Sequence, residues 1–131
     1  MTKKSAVLGC VVASLFAGTV AWAGSRYAYP VFIDVPGRTA YGTLGAARNS
    51  NDNVQFISCD THAYSDGSKN MSCAAKTTAG TYVYCTSSVA GLVDAAQSIS
   101  GDSFIYFEWN TSGACTYLGV GNSSEYAPKL Q

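Results

Sequence analysis

The sequence predicts an all-β domain, a small antiparallel meander or sandwich carrying one short amphipathic helix and stapled by disulfides. Three observations lead there. Short segments of alternating apolar residues are separated by Gly, Asn and Asp turns, a single segment has helical period, and four cysteines follow an export signal. An α+β arrangement of the same elements is the alternative.

Residues 1–23 have the parts of a secretory signal of bacterial type. Lys3 and Lys4 make a basic start, and residues 6–20 form an apolar run broken only by small residues. Ala21-Trp22-Ala23 then places small residues three before and immediately before a cut at Gly24. The run is shorter than the roughly 20 apolar residues that span a bilayer. Val7-Leu8-Gly9-Cys10 has the look of a lipid-attachment box, but too few apolar residues precede Cys10. The expected organisation is a signal over 1–23, removed, and one disulfide-bonded β-rich domain over 24–131.

The chain has 8 basic and 8 acidic side chains; losing Lys3 and Lys4 leaves 6 against 8, a net charge of −2. Such a weakly acidic domain, with its cations scattered, has no footprint for a phosphate backbone, so nucleic acid is not an expected partner. Stable membrane insertion after signal removal is not expected either. The expected location is the periplasm, the cell surface or the medium.

Cys59, Cys73, Cys85 and Cys115 remain after processing. No pair has the two-to-four-residue gap of a four-cysteine zinc site, so two disulfides are predicted and no metal. Three connectivities are open. Tight turns would bring Cys73 near both Cys59 and Cys85, and Cys59–Cys73 with Cys85–Cys115 is preferred.

Taken in order, residues 27–35 alternate so that Tyr27, Tyr29, Val31, Ile33 and Val35 share a strand face; Pro30 places that strand at an edge, and Pro36-Gly37 turns it. Residues 39–48 read as a softer, glycine-weakened strand, and 49–53 as a loop. Segments 54–64, 71–76 and 81–86, joined through Asp66-Gly67 and Gly80, read as a three-stranded meander. Val89, Leu92, Val93, Ala96 and Ile99 step at three and four residues, predicting a core-facing helix over 89–99. Ser87 or Ser88 would cap it and Gly101 would terminate it. Residues 103–109 are apolar on both faces apart from Glu108 and predict a central strand covered on both sides. A hairpin turn at 110–113 leads to a return strand over 115–120.

Catalytic chemistry finds few residues. His62 is the only histidine, with Asp60 on the same strand face, and no Gly-x-Ser-x-Gly elbow exists. Tyr106-Phe107-Glu108-Trp109 resembles, over four residues, the strand bearing the catalytic glutamate of small fungal guanyl-specific ribonucleases. The resemblance implies an arginine and a histidine on later strands, and neither residue type follows Glu108. Without a phosphate clamp and a general acid, Glu108 is expected to face solvent or to pair with Lys76 or an arginine. Asp94 and Asp102 are its only nearby carboxylates for glycoside cleavage. The loop over 49–53 and the Asp66 turn lack the calcium-loop pattern.

Nine tyrosines remain after processing, and Tyr82 and Tyr84 share the strand face opposite Val83 and Cys85. Exposed tyrosines among Ser, Gly and Asn make adaptable contact surfaces. The expected function is therefore non-catalytic, through protein–protein contact, including contact with copies of itself. The 27–35 strand would add to a neighbour's sheet in a filament or surface layer. A monomeric secreted binding or inhibitor domain, and a small hydrolase using His62 or Glu108, are the alternatives. No cofactor is implied.

Overall fold

A computed structural model describes residues 24–130, so the expected signal over 1–23 lies outside the described residues. The elements run β1 (Phe32–Asp34), β2 (Thr39–Thr43), α1 (Leu44–Arg48), β3 (Phe56–Ala63), β4 (Lys69–Lys76), β5 (Tyr82–Ser87), α2 (Ala90–Gln97), β6 (Phe104–Trp109) and β7 (Cys115–Gly121). They build two antiparallel sheets, one of order β1-β2-β6-β7 and one a β3-β4-β5 meander. The fold is mostly β, as the alternating segments predict.

Alternation makes the core. Ala40, Ile105, Phe107 and Leu118 point inward from the four-stranded sheet. Ile57, Met71, Cys73, Ala75, Val83 and Cys85 do so from the meander, and all join one buried cluster. Val93 and Ala96 of α2 and Ala47 of α1 pack into the same cluster. The turns follow their glycines: Gly67 and Gly113 take φ of +86° and +80°, a region that L side chains avoid.

The sheets are tied at one seam. Thr86 and Ala114 form an isolated parallel bridge, in which the Thr86 amide donates to the Gly113 carbonyl at 3.2 Å. Beside it, the Cys85–Cys115 disulfide crosses from β5 to β7. The second disulfide, Cys59–Cys73, joins directly opposed residues of β3 and β4. Two disulfides place the chain in an oxidising, extracytoplasmic setting. None of the described helices is long and apolar enough to cross a membrane.

Four local expectations are corrected. Residues 39–48 are not one strand: β2 ends at Thr43 and α1 begins, so the fold has two short helices. There the Leu44 amide makes a last bond in the β2–β6 register, to the Ser103 carbonyl at 3.0 Å, and a Cβ on Gly45 would stand 1.9 Å from the Ala127 carbonyl oxygen. The bare glycine lets the C-terminal segment cross the helix. Residues 27–35 pair as a strand only over Phe32–Asp34, at the sheet edge. The alternation breaks at Pro30, where the Tyr29 carbonyl accepts from the Thr43 amide, so Tyr29 and Phe32 share a face and Val31 is buried.

The α2 helix stops at Gln97, and Gly101 is not its left-handed cap. The Ser98 amide and hydroxyl both donate to the Ala95 carbonyl and close the last turn. Ser87 does not cap the helix: it lies three residues before Ala90, and its Oγ accepts from the Val89 amide. Strand β6 is central, but only one of its faces is core: Ile105 and Phe107 are fully buried, whereas Phe104, Tyr106 and Glu108 lie on the outer face.

Candidate functional site

The outer face of the four-stranded sheet collects eight of the fourteen aromatic residues among the described ones, and strand register explains how its strands contribute. Phe32, Tyr41, Tyr106 and Gly119 are successive partners across all four strands. Thr39, Glu108 and Tyr117 form the row on one side, and Thr43, Phe104 and Gly121 the row on the other. Sending Ile105 and Phe107 inward sends Phe104, Tyr106 and Glu108 outward.

The rings on this face touch in a continuous network. Phe32 stacks on Tyr41 at 5.1 Å between centroids, Tyr41 stacks on Tyr106 at 6.5 Å, and Tyr106 meets Tyr117 edge to face at 5.7 Å. The terminal segments extend the network. A parallel bridge between Tyr27 and Tyr126, with the Tyr27 amide on the Glu125 carbonyl at 2.9 Å, brings in three more tyrosines. Tyr29 meets Phe104 at 5.3 Å and Tyr126 at 6.4 Å, while Tyr27 stacks on Tyr29 at 6.0 Å. Six of the nine tyrosines stand here. Tyr27, Tyr29, Phe32 and Tyr117 retain between 37% and 51% of their surface, so the network is open to solvent rather than a second core.

Within this face lies a shallow groove of about 490 Å³, lined by Phe104, Tyr106, Glu108, Tyr117, Gly119, Val120 and Gly121. Its floor is low where β7 carries glycine. Glu108 neither projects alone into solvent nor pairs with Lys76, which stands on the other sheet. Its Oε1 accepts a hydrogen bond from the Tyr106 hydroxyl at 2.6 Å. That bond, then burial, then the nearby negative charge push the Tyr106 phenol above its ordinary value.

The other predicted residues fall elsewhere. Tyr82 and Tyr84 are exposed on the outer face of the meander, with Tyr82 6.3 Å from Phe56. Thus Tyr27 and Tyr29 join the aromatic network, while Tyr82 and Tyr84 belong to a separate surface. Val31 is buried, Ile33 packs against the core and Val35 is exposed beside the turn. His62 is exposed near the end of β3, opposite Asn70. Asp52 and Asp66 serve their own turns. Asp52 accepts from the Val54 and Gln55 amides at 2.9 and 2.7 Å, and Asp66 accepts from Ser68. The Asp102 carboxylate accepts from the Lys129 amide at 3.3 Å. Among the described residues, no three His, Cys, Asp or Glu side chains converge as a metal site would require.

Phe32, Tyr41, Phe104, Tyr117 and Tyr126 are absent from the residues expected to make contacts. Strand pairing brings them together from positions 32 to 126; within any one segment each reads as an ordinary strand residue. A scan against protein-family models finds no matching family, and searches of curated proteins and of solved structures find no match.

Proposed function

We propose that the protein is an exported, non-catalytic contact module that works in the periplasm, at the cell surface or in the medium. Its working surface is the outer aromatic face of the four-stranded sheet, through which it holds a protein partner or another copy of itself. The observation that carries this reading is the continuous ring network from Tyr27 to Tyr117, left open on a molecule that already has a complete core on the opposite side of the same sheet. Tyrosine suits such a surface, because its rigid ring contributes apolar area and its hydroxyl tolerates water when the surface is free.

The N-terminal segment supports contact in place rather than by strand exchange. Residues 27–31 are held on their own domain by the Tyr27–Glu125 and Thr43–Tyr29 backbone bonds. The Val31 amide also donates to Gln55 Oε1 at 3.1 Å. A strand leaving this domain would give up all three.

The test is site-specific photo-crosslinking in cells exporting the full-length chain, with the reactive residue at Tyr117 or, as control, at Tyr82 on the other sheet. Adducts of defined mass from Tyr117, absent from Tyr82 and lost when Tyr41 and Tyr106 are changed to Ser in a folded variant, are expected. Equal yields from the two positions, or none from Tyr117, would overturn the assignment of the face.

A further inference from the structure

We propose that the corner formed by Tyr106, Tyr117 and Glu108 is a receptor for an arginine side chain presented by the partner protein. This rests on the contact reading above and specifies its chemistry. Charge complementarity within the groove carries it. The two rings meet at 76° with centroids 5.7 Å apart, so they form a corner rather than a flat stack. Aromatic faces carry negative potential, which attracts a cation placed over them. Glu108, beside them, adds a formal negative charge, and none of the seven lining residues is cationic.

Gly119 and Gly121 shape the space. A Cβ on Gly119 would come within 3.1 Å of the Tyr117 ring, and one on Gly121 within 3.2 Å of the Tyr126 hydroxyl. Side chains at these positions would crowd the rings and raise the floor. The Tyr106 hydroxyl donates to Glu108 Oε1 and thereby orients the carboxylate on the sheet surface. A guanidinium satisfies this set better than an ammonium does: it is planar, stacks on a ring face and offers a fork of N–H donors to a carboxylate.

The test uses isotopically labelled protein, exported from the full-length chain and purified oxidised. It is titrated by NMR with an N-acetylated, C-amidated Gly-Arg-Gly peptide and with its citrulline counterpart, which keeps the shape and loses the charge. A neutral oligosaccharide, maltotriose, is the third probe. Shifts centred on 104–108 and 117–121 are expected with the arginine peptide. Affinity should be about three- to fivefold weaker for citrulline and weaker by a similar factor in Glu108→Gln, as for an exposed cation–π contact. Tyr117→Leu keeps apolar bulk without the ring and should also weaken arginine binding. Citrulline or maltotriose binding as well as arginine, arginine shifts away from the corner, or no shifts at all would each overturn the arginine assignment. Adducts from Tyr117 in the crosslinking experiment would still stand under those results, so the two readings fail separately.

Discussion

Removing the Cys85–Cys115 disulfide, by changing both residues to Ala, should be the most damaging single change to the covalent framework that leaves the sequence otherwise intact. Among the described residues this is the one disulfide that joins the two sheets, because Cys59–Cys73 lies within the meander. It closes a 30-residue separation, which in the chain-entropy account corresponds to about 3.6 kcal/mol. The 14-residue closure by Cys59–Cys73 corresponds to about 3.0 kcal/mol. The difference is small, so location rather than loop length should separate the two variants. Beside Cys85–Cys115 the sheets share the single Thr86–Ala114 bridge, whereas Cys59–Cys73 lies within an eight-pair ladder. Urea unfolding of the oxidised protein measures the total loss, and amide hydrogen exchange locates it. The expected result is a loss of about 3–4 kcal/mol for the Cys85/Cys115 variant, with Thr86 among the first amides to lose protection. A loss below about 1 kcal/mol, or unchanged protection at Thr86, would refute the view that this bond holds the seam.

Three further outcomes follow from particular contacts. Gly45→Ala places a methyl group against the Ala127 carbonyl, and backbone must move. A loss of about 1–3 kcal/mol is expected, with faster hydrogen exchange at Leu130, whose amide donates to Asn49 Oδ1 at 2.7 Å. The Gln55 amide, the Gln55 side chain and the Val54 amide hold the Asp52 carboxyl well below the usual carboxylate range. Its folded value is lower than its unfolded one, so its contribution is full above the ordinary value of 3.8 and is lost as pH falls below it. Acid unfolding of Asp52→Asn should accordingly be flatter below that pH than that of the parent. The Tyr106 phenol, raised chiefly by its bond to Glu108, contributes stability that is full below its ordinary value of 10.0 and is lost as pH rises past its folded value. In Glu108→Gln its ring signals should titrate at lower pH than in the parent.

The legible part of the fold is carried by signals contained within single segments. Asp66-Gly67 and Gly113 mark hairpins because a positive φ needs such residues, and the β3-β4-β5 meander follows from turns that short. The helical stripe through Val93 and Ala96 marks α2, since both bury. What is not legible depends on distant segments. Leu44–Arg48 turns helical where Ser103 takes the Leu44 amide and the tail crosses Gly45, and neither partner is visible from residues 39–48. The phase break at Pro30 depends on Thr43. The aromatic face is hidden in the same way: Tyr106 and Glu108 read as part of a strand buried on both sides, because composition cannot say whether a second layer will arrive.

No second layer arrives among the described residues, and the two outer faces differ in a way that β-propensity alone does not produce. The meander turns Ser58, Asp60, His62, Asn70, Ser72 and Lys76 outward along β3 and β4, an ordinary polar surface broken by Phe56, Tyr82 and Tyr84. If tyrosine served only to favour extended backbone, it would be spread over both sheets, since both need it equally. Instead six of nine gather over one face, Tyr41, Tyr106 and Tyr117 from its strands and Tyr27, Tyr29 and Tyr126 from the terminal segments folded onto it, with glycine at the two β7 positions where another ring would close the groove. Glu108 sharpens the contrast. A carboxylate among rings is unfavourable unless its charge is answered, and an apolar residue there would pack against Tyr106 and Tyr117 at lower cost. Tyr106 answers it in part, through one hydrogen bond. A face selected only to cover itself would have no use for that charge, whereas a face that meets a cationic partner does.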